Sequence, residues 1–337
     1  MLNKNKAIAL YSGGLDSILA IKLILEQGID VIGIIFETPF IAVKNNLLSN
    51  NPLGITFIKE DISKEFQNIL LNPKYGFGKN INPCIDCRIL MYKKAGEVMK
   101  RENASFIISG EVLGQRPMSQ NKRSLLLISK ESGYGQFITR PLSALLLPET
   151  EPEKQKIIDR SRLLDIQGRS RKRQIFLAEY YKINNYPAPA GGCKLTEPGF
   201  SDRLSDLLVM NKNYSNNDIE LLKVGRHFLL GENTKLLVGR NEKENAKILA
   251  LSAGDDYLLD SHNFKGPISL LRFYGKEKDP IEIDKIIRIA SRITAKYCDK
   301  DQKTELLDIN ISNLEKNYNK KIFVQPFTEA EIKNYLI

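Results

Sequence analysis

Tryptophan is absent from this 337-residue chain, histidine occurs twice, and there are only four cysteines. Each scarcity excludes something. His227 and His262 are too isolated in sequence to form a histidine-based ligand set. Cys84, Cys87, Cys193 and Cys298 are too few and too unevenly placed for a disulfide scaffold. No apolar run approaches the roughly 20 residues that a membrane span needs. The first apolar strand starts within about six residues of the N-terminus, leaving no room for a signal peptide, so a cytoplasmic location is expected. There is no internal repeat, no low-complexity tract, no Walker A G-K-[ST] and no G-x-G-x-x-G.

What is present is ordinary in bulk. The length suggests two domains. The chain is 42% hydrophobic and 27% charged, as in a globular protein. Fifty Lys plus Arg against forty Asp plus Glu leave a formal charge of +10. That balance suits a polyanion such as RNA and equally a lysine-rich surface; only clustering can separate the two.

The chain is organised around Ser12-Gly13-Gly14-Leu15-Asp16-Ser17. It lies between an apolar run, Ala7 to Tyr11, and a periodic segment, Leu15 to Gln27, the order of a strand, a turn and a helix. Adjacent glycines let backbone N–H groups face an anion, and a helix N-terminus adds donors and partial positive charge. The Ser12 and Ser17 hydroxyls and the Asp16 carboxylate suit phosphate and Mg²⁺. All six positions resemble the SGGxDS loop of the PP-loop ATP pyrophosphatases, which split ATP into AMP and pyrophosphate.

Further apolar runs at Val31 to Phe36, Ile55 to Ile58 and Phe106 to Ile108 alternate with helical patterns. This predicts an α/β fold, a doubly wound parallel sheet, with ligand at the C-terminal strand ends. Leu10, Tyr11, Ile35 and Phe36 would then border the nucleotide.

Cys84-Ile85-Asp86-Cys87-Arg88 follows Pro83, which places the cysteine pair at the start of a helix reaching about Arg101. A helix N-terminus lowers thiol pKa, which favours metal ligation or sulfur chemistry. By itself C-x-x-C is half a zinc site, a redox pair or two buried thiols. Gly110-Glu111-Val112-Leu113-Gly114-Gln115, running on to Ser119-Gln120, resembles the T-G-E-x-x-G-Q…S-Q segment of the tRNA 4-thiouridine synthetases. Archaeal-type members also carry C-x-x-C before a basic residue, here Arg88. The spacing to Gln120 is one residue longer than in that family. The resemblance implies ATP contacts at Arg88, Gly110 and Gln120. Arg140-Pro141-Leu142 resembles the family's R-P-L segment, with Arg140 placed for phosphate.

Arg169, Arg171, Lys172 and Arg173 form the densest basic cluster, either a solvated helix face or an RNA contact. Just beyond it comes Pro189-Ala190-Gly191-Gly192-Cys193, a glycine-flanked, exposed loop. Three thiolates, Cys84, Cys87 and Cys193, would leave one open position on a 4Fe-4S cluster or on zinc. In the resembling synthetases matching cysteines bind such a cluster or carry a persulfide. Cys298, in an apolar-periodic helix from Ile281, is expected to be packing.

The polar stretch Lys212 to Asn217 marks an expected boundary between domains 1–212 and 217–337. The second domain reads as a smaller α+β domain. Its Gly239-Arg240-Asn241-Glu242-Lys243-Glu244-Asn245 and Lys265-Gly266-Pro267 resemble the RNA-binding module of the NFACT proteins, without the usual tryptophan. Arg240 and Lys265 are the candidate phosphate contacts.

The resemblances together imply ATP-dependent, 4-thiouridine-type thiolation of tRNA, with Asp16, Cys84, Cys87 and Cys193 as catalytic residues. ATP, Mg²⁺ and a 4Fe-4S cluster or zinc are the expected cofactors. Expected partners are tRNA and a sulfur donor, either sulfide or a cysteine desulfurase persulfide, with no membrane. The synthetases' usual N-terminal RNA-binding region and a rhodanese-like domain are not recognised, so the C-terminal module is expected to grip tRNA. The alternatives are 2-thiolation of a wobble uridine, a PP-loop amide or nitrile synthase with structural zinc, and a non-enzymatic RNA-binding protein.

Overall fold

The computed structural model describes residues 3–41, 53–187, 193–275, 279–299, 305–313 and 315–337. The expected glycine pair Gly191-Gly192 lies outside the described residues. The chain divides into two units, Met1–Thr196 and Glu197–Ile337.

In the first unit five parallel strands form one sheet: β1 (Asn3–Leu10), β2 (Asp30–Glu37), β3 (Thr56–Asp61), β4 (Ala104–Ile108) and β5 (Ile138–Thr139). Their order is β3-β2-β1-β4-β5. The central strand shows why both faces are apolar. Ala7 and Ala9 point into one core and Ile8 and Leu10 into the other, the two-residue alternation of a pleated strand. Helix Leu15–Leu25 covers the first face together with Ile158, Leu163, Ala178 and Ile183. The second face is covered by helices Cys84–Arg101 and Lys122–Ser132, through Tyr92, Val98 and Ile128. This is the doubly wound arrangement. Strand order reverses beside β1, so the segments leaving β1 and β4 flank the crevice where such sheets bind ligands.

The second unit holds an antiparallel sheet of β6 (Arg226–Leu229), β7 (Thr234–Val238), β8 (Tyr257–Ser261), β9 (Ser269–Phe273), β10 (Leu307–Asn313) and β11 (Tyr318–Val324), ordered β11-β10-β8-β9-β7-β6. Helix Pro280–Lys296 buries Ile286, Ile287, Ala290 and Ile293, spaced as one helix face, against Leu259, Leu271 and Ile309. Ile248 of helix Glu242–Ala250 packs with Leu237 and Leu270 in a separate cluster. Cys298 is buried just beyond the long helix, its thiol 3.6 Å from the Thr294 carbonyl oxygen, in a packing position.

The division falls earlier than the 212/217 boundary read from composition. Helix Pro198–Met210 belongs to the second unit, where Lys235 Nζ donates to the Arg203 carbonyl at 2.8 Å. The polar residues after it form a helix-to-helix connection that ends in a Ser215–Asp218 capping box.

Candidate active site

The loop after β1 is built by its own short-range bonds. Tyr11 N–H donates to the Ile34 carbonyl at 2.9 Å, carrying the sheet pairing to the last residue before the turn. Gly13 has φ +70°, a left-handed conformation that favours glycine. Gly14 caps helix Leu15–Leu25 with an extended backbone and no side-chain cap. The Ser17 hydroxyl donates to the Gly14 carbonyl at 2.7 Å and lies 3.4 Å from the Ser12 hydroxyl. The result is an uncapped helix N-terminus carrying two hydroxyls, the arrangement that receives a phosphate.

Four residues expected to border the nucleotide are buried, and they divide between the two cores. Tyr11 and Ile35 pack on one face, Leu10 and Phe36 on the other. Their side chains support the site from within, so the surface they offer a ligand is main chain.

The end of β4 closes against the loop. A β-carbon on Gly110 would stand 2.6 Å from Ser17 N and 2.7 Å from the Asp16 carbonyl carbon. The next residue, Glu111, is buried and anchors a charged network. Its Oε2 accepts from Arg140 Nε at 3.1 Å and lies 2.6 Å from the Tyr92 hydroxyl, while Oε1 is 3.5 Å from Arg88 Nε. Burial pushes the Glu111 carboxyl up, but Arg140, Arg88 and Tyr92 together hold it below its ordinary value. Arg140, expected at phosphate, is 6% exposed and bonds Glu111 and Ser129 Oγ, the latter at 3.2 Å, while one terminal nitrogen is buried without a partner. Glu111 was quoted in the sequence motif without a role. Its partners come from helix Cys84–Arg101 and from the segment after β5, and were not visible there.

Asp16 is the meeting point of a second group. Gln115 Nε2 donates to Asp16 Oδ2 at 2.9 Å, and an Arg171 guanidinium nitrogen lies 3.7 Å from the same oxygen. Asp16 Oδ1, Gln115 Oε1, Gln120 Oε1 and Arg171 Nε are buried without a hydrogen-bond partner. Buried polar atoms are normally satisfied, so a cluster of orphaned ones is where water, an ion or a ligand would bind. Carboxylate and amide oxygens are the donors that Mg²⁺ prefers, and Asp16 Oδ1 with Gln115 Oε1 fits that ion.

The cysteines behave differently from expectation. Helix Cys84–Arg101 does begin at the first of them, with Pro83 as its cap. The buried Asp86 accepts from the Lys74 and Tyr75 N–H groups at 3.2 and 3.0 Å, fixing the preceding loop. Asn82 Nδ2 donates to Cys84 Sγ at 3.1 Å, while Cys87 packs against the core. Lys194 N–H bonds the Phe40 carbonyl at 2.9 Å, holding Cys193 beyond the C-terminal end of β2. The loops carrying Cys84 and Cys193 are tied together, because Asn80 Nδ2 donates to the Thr196 carbonyl at 2.8 Å. Burial pushes Cys87 up to about 12 and Cys193 up to about 11. For Cys87 that corrects the expectation of a thiol lowered at a helix N-terminus, because desolvation outweighs the dipole. Among the described residues no three His, Cys, Asp or Glu side chains converge on a metal position.

The basic cluster is split. Arg169, Lys172 and Arg173 are exposed, with Arg173 paired to Asp165 at 2.7 Å, whereas Arg171 turns inward to Asp16. In the second unit Lys265 is exposed. Arg240 is held by Glu244, with contacts of 2.6 to 3.0 Å, so its guanidinium already has an anionic partner.

Comparison with known proteins adds the following. Residues 3–172, half of the chain, match the family described as thiamine biosynthesis protein (ThiI). Residues 225–336 match the family described as NFACT protein RNA binding domain. A tRNA-specific 2-thiouridylase MnmA 2 of Fusobacterium nucleatum subsp. nucleatum is 25% identical over 68% of this chain and 69% of its own length. A second MnmA of that organism is 24% identical, over 60% of this chain and 58% of its own length. A probable tRNA sulfurtransferase of Thermococcus kodakarensis is 28% identical over 46% of this chain and 40% of its own length. The chain thus spans between two fifths and about seven tenths of these curated relatives.

Proposed function

Since the chain belongs to the thiamine biosynthesis protein (ThiI) family, we propose that it uses ATP to place sulfur on a uridine of tRNA, in a 4-thiouridine-type reaction. The observation that carries this reading lies within one unit. An uncapped phosphate-type loop shares it with Cys84 and Cys193, whose loops are tied by Asn80 Nδ2 donating to the Thr196 carbonyl at 2.8 Å. A uracil carbonyl oxygen attacks the α-phosphorus of ATP, and pyrophosphate leaves. Ser12, Ser17 and the N-terminus of helix Leu15–Leu25 hold the phosphates by hydrogen bonding and by helix polarity. Asp16 and Gln115 are the residues that would hold Mg²⁺, which supplies charge neutralisation to the departing pyrophosphate.

Sulfur then displaces AMP. In this reading Cys193 carries a persulfide accepted from a persulfide donor. Its terminal sulfur attacks the adenylated ring carbon, and AMP leaves with the C–O electron pair. Cys84, whose loop is tied to that of Cys193 through Asn80 and Thr196, then attacks the Cys193 sulfur and frees the thiouridine. The resulting Cys84–Cys193 disulfide is reset by an external dithiol. The C-terminal unit and the exposed Arg169, Lys172, Arg173 and Lys265 are the proposed tRNA contacts, drawing on the match to an RNA-binding domain.

The second reading is 2-thiolation, favoured by the relative named as a 2-thiouridylase. One experiment tests both. The chain is incubated with MgATP, a persulfide donor, dithiol and unmodified tRNA, and the nucleosides are then identified by mass spectrometry. The outcome expected is 4-thiouridine with stoichiometric AMP. Finding 2-thiouridine instead would select the second reading, and AMP without any thionucleoside would sink both.

A further inference from the structure

The basic cluster 169–173 contains one residue that does not behave like its neighbours. Arg169, Lys172 and Arg173 are exposed, whereas the Arg171 side chain is only 18% exposed. The backbone leading to it is fastened to the segment after β4. Gly168 N–H donates to the Leu113 carbonyl at 2.7 Å, and Leu113 and Gln167 form a parallel bridge. This fastening directs Arg171 to the loop, where its guanidinium lies 3.7 Å from Asp16 Oδ2.

The contact is a charge pairing at more than hydrogen-bond length, so it does not use up the guanidinium's directional donors. Its Nε is buried with no partner, next to an Asp16 whose Oδ1 is also unpartnered. One orphan is a donor and the other an acceptor. The acceptor suits a cation, and the donor, on a fork shaped for phosphate, suits an anion. A metal–polyphosphate is the ligand class that offers both at once. A nucleic-acid backbone on the outer face would instead meet the neighbouring exposed cations.

We infer that Arg171 grips the phosphates of ATP beside Asp16, so that the cluster is divided between one nucleotide contact and an outward face. This rests on the ATP-splitting reading above. It adds a residue some 155 positions downstream of the loop to the group that stabilises the leaving pyrophosphate.

The test uses the full chain and two probes, α,β-methylene-ATP with Mg²⁺ and unmodified tRNA, each titrated by calorimetry. Arg171→Gln is expected to weaken nucleotide binding roughly ten- to hundredfold, the loss typical of removing a charged hydrogen-bond donor. Its tRNA affinity should stay within about twofold, whereas Lys172→Glu combined with Arg173→Glu should show the opposite pattern. Arg171→Lys keeps the charge without the fork and should fall between parent and Gln; it also serves if Gln impairs folding, which thermal melting reports. Nucleotide affinity unchanged in both Arg171 variants, with tRNA affinity reduced, overturns the inference. If the parent binds the nucleotide but thiolates nothing, the activity reading falls and the Arg171 contact stands. If the parent binds no nucleotide, both fall.

Discussion

Gly110 and Ser17 approach so closely that a β-carbon on Gly110 would stand 2.6 Å from the Ser17 backbone nitrogen. The end of one strand thereby braces the helix N-terminus that follows another. Gly110→Ala puts a methyl group against backbone, which cannot move aside as a flexible side chain could. The variant should lose about 1–3 kcal/mol of stability, the usual cost of overpacking. Its ATP-dependent AMP release should fall at least about tenfold, because the displaced loop is the one that holds phosphate. Urea unfolding and an AMP assay check the two effects separately.

Asp16→Asn keeps the shape and the Gln115 contact on one oxygen while removing charge from the orphaned Oδ1. AMP formation should drop about a hundredfold, and the half-saturating Mg²⁺ concentration should rise, with the melting temperature nearly unchanged. A Mg²⁺ titration of initial rates shows whether the metal requirement moves with this residue.

Glu111→Gln leaves Arg140 buried beside a neutral partner and should cost about 3–5 kcal/mol, as breaking buried ion pairs does. The same group predicts an acid limit. The folded Glu111 pKa is depressed below its ordinary value of 4.5, so its stabilisation is present above that value. It is lost as pH falls through the lower folded value. Denaturant midpoints measured from pH 5 down to pH 3 should fall in the parent, and fall less steeply in Glu111→Gln.

His227 is 3% exposed, and burial, reinforced by Arg203 and Lys235, pushes its pKa well below 6.5. The unfolded chain takes up a proton below that ordinary value before the folded one does. Stability of the C-terminal unit should therefore rise with pH up to about 6.5 and drop on acidification below it. Hydrogen exchange at β6, corrected for intrinsic rates between pH 5 and pH 7, reads this; a flat response would exclude a buried neutral imidazole.

The two chemical steps should separate at the cysteines. Cys193→Ser should retain AMP release within a few fold while thionucleoside falls below detection by mass spectrometry. Cys298→Ser, at a buried packing site, should thiolate normally and lose about 1 kcal/mol of stability. Loss of thiolation in Cys298→Ser with Cys193→Ser still active would reverse the assignment.

Several local features were legible from the residue order. Ser12 to Ser17 builds its turn from bonds within six residues, so the string itself carries the geometry. Continuous apolar runs announced β1, β2 and β4, because parallel strands are buried on both faces. Pro83 announced the start of helix Cys84–Arg101. Arg240 and Glu244, four residues apart on the chain, could also have been read as a pair. The alternation of Leu307, Ile309 and Ile311 likewise signals β10.

Only the tertiary structure decided where charge and thiols come to rest. Arg171 looks like its exposed neighbours in the string, yet the Gly168–Leu113 bond turns it to Asp16. Arg140 looks like a lone surface charge in the string, yet it is buried and bonded to Glu111, 29 positions away. Cys87 follows a motif suited to reactivity, but packing against the second core raises its pKa. Each outcome depends on burial and on partners from other elements. Desolvation and pairing act through space, and one-dimensional spacing carries neither.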